Sequence, residues 1–180
     1  MAEQQHRNIA IIRNKVRDIP DFPRKGIVFK DITPILNDPE TLNLTSQLLY
    51  EPFMGENVDF VAGIESRGFI LGARLATDLN AGFIPIRKQG KLPADKISIT
   101  YELEYGTDQL EIHRDALHHG DRVIIHDDLM ATGGSALAAT RLINKLGGVV
   151  VGYSFVLELS FLNGVSLLDP DIPTHSLIKV

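Results

Sequence analysis

The sequence predicts an α/β fold in which a central parallel sheet is flanked by helices and interrupted by one inserted β-hairpin. Short apolar runs at residues 58–64, 83–86, 122–126 and 149–157 alternate with stretches whose apolar residues recur every three to four positions. That is the pattern of buried parallel strands joined by crossover helices. One segment, 96–113, instead alternates apolar and polar residues strictly, the period of a hairpin. With 180 residues, 44% of them hydrophobic, the chain is long enough for one proper core and short for two enzyme domains, so 1–180 is expected to form a single domain.

Each element has its own signal. Ile9, Ile12, Val16 and Ile19 stand at helical spacing and Pro20 follows where a helix should stop. A loop comes next, with a strand-like run at Gly26-Ile27-Val28-Phe29-Lys30. Asp38-Pro39-Glu40 reads as N-cap, first-turn proline and first-turn acid of a second helix, which runs to about Tyr50 and is closed by Pro52. Phe69, Gly72, Ala73 and Ala76 mark one face of the helix after the 58–64 strand. In the hairpin the alternating residues are Ile97, Ile99, Tyr101, Leu103 and Tyr105, then Leu110 and Ile112, with Gly106-Thr107-Asp108 at the turn and Glu102 and Glu104 on the polar face. A hairpin in a parallel-sheet fold suits a lid or a subunit contact, here over about 95–113. The helix after strand 122–126 has the inner stripe Ala139, Leu142, Ile143 and Leu146, and Gly147-Gly148 ends it.

Composition narrows the function. Lys and Arg number 18 against 23 Asp and Glu, a net charge of −5, so broad binding to nucleic acid is not expected and a phosphate ligand needs a local basic patch. Without cysteine there are no disulfides, thiolate metal sites or cysteine nucleophiles, which fits a cytoplasmic protein. No apolar run approaches bilayer length, and MAEQQHRNIA lacks the basic-then-apolar pattern of a secretory signal; no membrane partner is expected.

The chemistry is concentrated in VIIHDDLMATGGS, residues 123–135. An apolar strand ends in Asp127 and Asp128, and a loop with Thr132-Gly133-Gly134-Ser135 leads straight into a helix. Backbone N–H groups and the positive end of that helix then converge beyond the C-terminal edge of the sheet, which makes an anion site. The glycines admit close approach of a phosphate, and the Thr132 and Ser135 hydroxyls add donors or cap the helix. Neither GxxxxGK[ST] nor GxGxxG occurs, so readings based on nucleoside triphosphates or dinucleotides lose their main support. Glu65-Ser66-Arg67-Gly68 lies at another strand-to-helix junction on the same edge, and Arg87, Lys88 and Lys91 cluster at the end of the next strand, a plausible clamp for a polyanion.

These thirteen residues resemble the 5-phosphoribosyl 1-pyrophosphate signature of the type I phosphoribosyltransferases. Further blocks, DFPRKGIVFKDITP, ESRGF, IRKQGKLP and YELEYGTDQLEIH, make nearly the whole chain similar to the adenine-specific members. The resemblance implies the type I fold, a small N-terminal hood over about 1–35 that binds the base, and the hairpin as lid. It implies that Asp127 and Asp128 hold the ribose hydroxyls, that Ala131, Thr132, Gly133, Gly134 and Ser135 cradle the 5′-phosphate, and that Ser66, Arg67, Arg87, Lys88 and Lys91 take the pyrophosphate. Val28, Phe29 and Lys30 would read adenine, with Phe29 stacked on the base, and Leu159 would close the base pocket. Glu104 would accept the purine N9 proton, with Tyr105 beside it in the lid. Mg²⁺ would enter bound to the donor rather than to the protein. A non-proline cis peptide in the loop around Glu65-Ser66-Arg67, a homodimer, and the products adenosine monophosphate (AMP) and pyrophosphate are implied in the same way.

Ser135 stands where threonine is commoner, Lys30 where arginine is, and His126 where an aliphatic residue is usual; as a core histidine it is expected to be satisfied by hydrogen bonds and able to perturb Asp127. Two alternatives remain open on the residues alone. One is a phosphoribosyltransferase for another purine base; the other is a regulator of the same fold that senses the donor.

Overall fold

The computed structural model describes residues 2–102 and 106–180. They fall into two compact units, 1–48 and 49–180.

In the first unit, helix α1 (Ala2–Lys15) is followed by strands β1 (Arg17–Pro20) and β2 (Val28–Asp31). The helix therefore stops before Ile19, which belongs to β1 and faces Phe29 across an antiparallel pair. A residue before proline is pushed out of the helical region, and an extended Ile19 gains a strand partner. The run at 28–30 forms β2 as its sequence indicates. Asp31 ends it and accepts hydrogen bonds from the Thr33 hydroxyl and N–H, opening the short helix α2 (Thr33–Leu36), in a stretch whose residues read as loop. The Thr33 hydroxyl and the Arg17 guanidinium hold the Asp31 carboxyl down at about 2. Helix α3 (Pro39–Tyr50) begins as expected, with Asp38 Oδ1 accepting from the Glu40 N–H at 3.0 Å.

The second unit is built on strands β3 (Phe60–Ile64), β4 (Gly82–Lys88), β5 (Lys96–Glu102), β6 (Thr107–His113), β7 (Arg122–Met130), β8 (Val149–Glu158) and β9 (Thr174–Lys179). They form one seven-stranded sheet in the order β5-β6-β4-β3-β7-β8-β9. The pairs from β4 through β9 are parallel, and the hairpin β5–β6 joins antiparallel at the β4 edge. Helix α4 (Gly68–Asp78) links β3 to β4, and α5 (Gly134–Lys145) links β7 to β8. The central parallel sheet flanked by helices is thus the observed architecture.

Three details differ from the sequence reading. The buried stripe of α4 is Gly68, Leu71, Gly72, Leu75 and Ala76, with Ala73 exposed, because 100° per residue puts 68, 71, 72, 75 and 76 on one side. Strand β7 runs on to Met130, so both aspartates lie within it; Asp127 is opposite Phe155 and Met130 opposite Glu158. The hairpin is no free appendage, since β6 pairs with β4 through Arg87–Glu111 and Lys88–Leu110, and Leu110 and Ile112 are fully buried.

This order positions the site. The chain leaves β3 toward β4 on one side and leaves β7 toward β8 on the other, and β3 and β7 are neighbours. A crevice therefore opens beyond their C-terminal ends, the place where open α/β sheets take ligands.

Candidate active site

A cleft of about 560 Å³ lies at that switch point. Its acidic wall is β7. Strand alternation sends Asp127 and Asp128 to opposite faces. Asp128, its side chain 7% exposed, receives Arg67 Nε at 2.8 Å, while Asp127 Oδ1 accepts the Asp128 N–H at 2.8 Å. Gly68 permits this closeness: a Cβ there would be 2.9 Å from the His126 carbonyl oxygen and 3.0 Å from Asp127 Oδ1, so a larger residue would push α4 off β7. Burial, then the neighbouring Asp128 charge, pushes the Asp127 carboxyl well up. Burial raises Asp128 as well, against the opposing pull of Arg67. Asp127 is therefore the carboxyl of the pair that holds a proton more readily.

His126, next along the strand, is fully buried, with Nδ1 3.1 Å from the Ser154 hydroxyl and no partner for Nε2 among the described residues. It is thus half satisfied rather than fully satisfied. Burial drives its imidazole down to about 4, which keeps it neutral near pH 7, and the forces on Asp127 come from burial, Asp128 and Arg67 instead.

The glycine loop follows. Gly133 has φ 83° and is the residue before α5, which begins without a side-chain cap. The Thr132 and Ser135 hydroxyls consequently do not cap the helix, and its first-turn N–H groups remain available to a ligand. Ala131, Thr132, Gly133 and Ser135 line the cleft, and Gly134 does not; a Cβ there would be 3.0 Å from the Glu102 carbonyl oxygen and 3.3 Å from the Tyr101 ring.

Opposite stands the basic wall. Ser66, Arg67, Lys88 and Lys91 line the cleft. The Glu65–Ser66 peptide is cis, at the position where the resemblance implied one. Arg87 does not line the cleft; its Nε is 3.2 Å from Glu65 Oε2. Glu65, absent from the sequence-predicted site, organises this wall. Its carboxylate is 7% exposed and also accepts from Lys91 Nζ at 2.5 Å and from the Lys88 N–H at 3.0 Å. Burial pushes Glu65 up, but these hydrogen bonds outweigh it and hold it at about 2. No local pattern in the sequence marks it: only the parallel register, with Ile64 opposite Ile86, brings an acid following one strand beside the cations following the next.

Tyr101 is a second residue that sequence reading left in the apolar alternation. It lines the cleft, and its hydroxyl is 3.4 Å from Asp108, which also pairs with Lys88 at 3.0 Å. Burial, then the Asp108 charge, raises the phenol to about 12. Leu159 follows β8, its N–H bonded to the Met130 carbonyl at 2.8 Å. Val28, Phe29 and Lys30 form β2 of the other unit. Glu104 and Tyr105 lie outside the described residues.

Residues 32–158 match the model of the phosphoribosyl transferase domain. The chain belongs to the phosphoribosyltransferase family. Among its relatives is an adenine phosphoribosyltransferase of Nostoc punctiforme, 55% identical over 170 residues, covering 93% of this chain and 98% of the relative. The crystal structure of adenine phosphoribosyltransferase from Rhodothermus marinus superposes with a TM-score of 0.93 at 49% identity, covering 97% of this chain and 99% of the other. That of the Saccharomyces cerevisiae enzyme, complexed with adenine and an imino-altritol bisphosphate, gives 0.90 at 40% identity over 96% and 99% of the two chains. The fold is the type I phosphoribosyltransferase fold, and its signature segment 123–135 corresponds here to β7, the glycine loop and the first residues of α5.

Proposed function

We infer that this phosphoribosyltransferase transfers the phosphoribosyl group of 5-phosphoribosyl 1-pyrophosphate to N9 of adenine, forming AMP and pyrophosphate, a purine salvage reaction. The observation that carries it is one cleft holding an acidic pair and a glycine loop on one side and a cluster of cations on the other, in a chain half identical to adenine phosphoribosyltransferases. Asp127 and Asp128 take the ribose hydroxyls. Residues 131–135 take the 5′-phosphate with backbone N–H groups at the start of α5. Ser66, Arg67, Lys88 and Lys91 face the leaving pyrophosphate, and Arg87 supports them through Glu65.

In the reaction the N9–C1′ bond forms as the C1′–oxygen bond breaks. The electron pair leaves with pyrophosphate, and the N9 proton passes to Glu104. A cationic sugar develops beside a departing polyanion, so preorganised charges at both ends supply the catalysis. The acidic residues fit a metal that arrives with the donor, because Glu65 and Asp128 are already paired with Lys91, Arg87 and Arg67; Mg²⁺ carried in by the donor would supply further positive charge to the leaving group. Hairpin closure excludes water that would hydrolyse the activated sugar.

Phe29 is assigned to stacking on the base, with Val28 and Lys30 reading its edge and Leu159 closing the pocket. Stacking holds a purine but does not choose it; hydrogen bonds to the 6-position and N1 do. Residues 1–180 are read as one phosphoribosyltransferase domain, since the matched segment, 32–158, begins in the first compact unit and continues into the second. The homodimer and the cytoplasmic location are taken from the family. No described helix is long and apolar enough to cross a membrane.

The test is an assay of the purified protein with donor, Mg²⁺ and each of adenine, hypoxanthine, guanine and xanthine, with nucleotide products resolved by chromatography. AMP from adenine is the expected product. Preference for another base overturns the specificity, and binding of the donor with no product from any base would favour the sensor.

A further inference from the structure

Beyond β8 the chain makes two 3₁₀ turns, Ser160–Leu162 and Gly164–Leu167, with Asn163 between them at φ 51°. Their packing brings Gly164 against the glycine loop. A Cβ on Gly164 would collide with the Ala131 carbonyl oxygen and lie 2.8 Å from both the Gly133 nitrogen and the Thr132 carbonyl carbon. Reciprocally, a Cβ on Gly133 would collide with the Gly164 carbonyl oxygen and lie 3.0 Å from its carbonyl carbon. All of these neighbours are backbone atoms, so no side chain can swing aside.

Gly133 already needs glycine for its φ of 83°, whereas Gly164 lies outside the left-handed region. Only close approach explains a glycine at 164. The turns are well anchored. The Leu159 N–H bonds the Met130 carbonyl at 2.8 Å, directly before the loop, and the Ser166 hydroxyl and N–H both bond the Asn163 carbonyl, at 2.7 Å and 3.1 Å. Val165 packs on the hydrophobic core and Leu168 is buried within it.

We propose that Gly164 is a positioning residue for the phosphate loop: its backbone braces residues 131–133 in the shape that presents N–H groups to a phosphate monoester. The proposal rests on the assignment of 131–135 to the 5′-phosphate. The loop at Gly133 has no side-chain cap, so its shape depends on its own dihedrals and on what lies against it. The segment that carries Leu159 toward the base thus also sets the phosphate end of the site.

The test measures ribose 5-phosphate and pyrophosphate binding by calorimetry, and steady-state kinetics, for the wild type and for Gly164→Ala. Displacing the loop by a methyl group should weaken ribose 5-phosphate binding and raise the donor KM by ~10–100-fold, the scale of a misplacement near 1 Å. Pyrophosphate binding and the adenine KM should change little. Gly152→Ala is the matched control, because its Cβ would lie 2.6 Å from the Phe53 ring, away from the loop; it should lose stability while keeping ribose 5-phosphate affinity.

Asn163 is exposed, so substitutions there act through the backbone and decide the matter even if Gly164→Ala fails to fold. Asn163→Val strains the left-handed dihedral that aims Gly164 and should weaken ribose 5-phosphate binding, while Asn163→Gly, at ease in that conformation, should bind as wild type does. Unchanged ribose 5-phosphate binding in Gly164→Ala or Asn163→Val overturns the brace. Equal loss of pyrophosphate binding also overturns it, because that marks general damage. A wild-type protein that does not bind ribose 5-phosphate overturns the loop assignment itself, and the brace with it.

Discussion

Glu65 shows how one side chain can order a site without touching a reacting atom. Its carboxylate gathers Lys91, Arg87 and the Lys88 N–H, so the cations that should meet a pyrophosphate are prealigned rather than scattered by mutual repulsion. Its partners are a third to a half exposed, so Glu65→Gln should cost about 1–3 kcal/mol at neutral pH, between the values for exposed and buried pairs. The sign of the pH dependence follows from the depressed carboxyl. With Glu65 at about 2 in the folded chain against an ordinary 4.5, its contribution is complete above pH 4.5 and is lost as pH falls toward 2. Urea unfolding at neutral pH and at about pH 3 should show the gap between wild type and variant narrowing in acid. A gap that widens in acid contradicts the assignment.

The chemistry itself is assigned to Glu104. In the sequence it stands in step with Glu102, at the polar positions of the period-2 alternation. If it accepts the N9 proton, Glu104→Gln should lower kcat by ~10²–10⁴-fold with donor affinity nearly intact. Glu102→Gln serves as the control. Equal losses in the two variants point to the charge of the hairpin, and full activity in Glu104→Gln removes the general base.

At the scale of elements, the hairpin carries the clearest consequence. Its alternation was legible because each strand buries only one face. Its attachment was not, since no local pattern says that β6 will bond to β4. The structure makes the base of the hairpin part of the core, with Ile97, Leu110 and Ile112 in the cluster that α5 covers, while Tyr101 reaches the cleft. Leu110→Ala should therefore destabilise the protein by about 2–5 kcal/mol, as for a buried leucine in any core, measured as a lowered midpoint of urea unfolding. A cost of a few tenths of a kcal/mol would show a hairpin that merely hangs from the sheet. The first helix teaches the converse: Ile19 continues its apolar spacing, yet the proline after it and Phe29 across from it draw it into a strand.

At the scale of the whole molecule, what could be read from the chain was whatever its neighbouring residues specify among themselves. Alternation of apolar runs with helical stripes determined the α/β architecture. The contiguous segment 123–135 determined the strand, the glycine loop and the helix start to which the 5′-phosphate is assigned, because they are covalently consecutive and need no distant partner to meet. The tertiary structure alone decided the rest. Strand order placed β3 beside β7 and opened the cleft at the reversal, parallel register put Glu65 next to Arg87, and the turns after β8 carried Gly164 onto a loop some thirty residues earlier. Such contacts join residues far apart in sequence, and their geometry is set by how sheets and helices pack their buried faces, which local spacing does not encode.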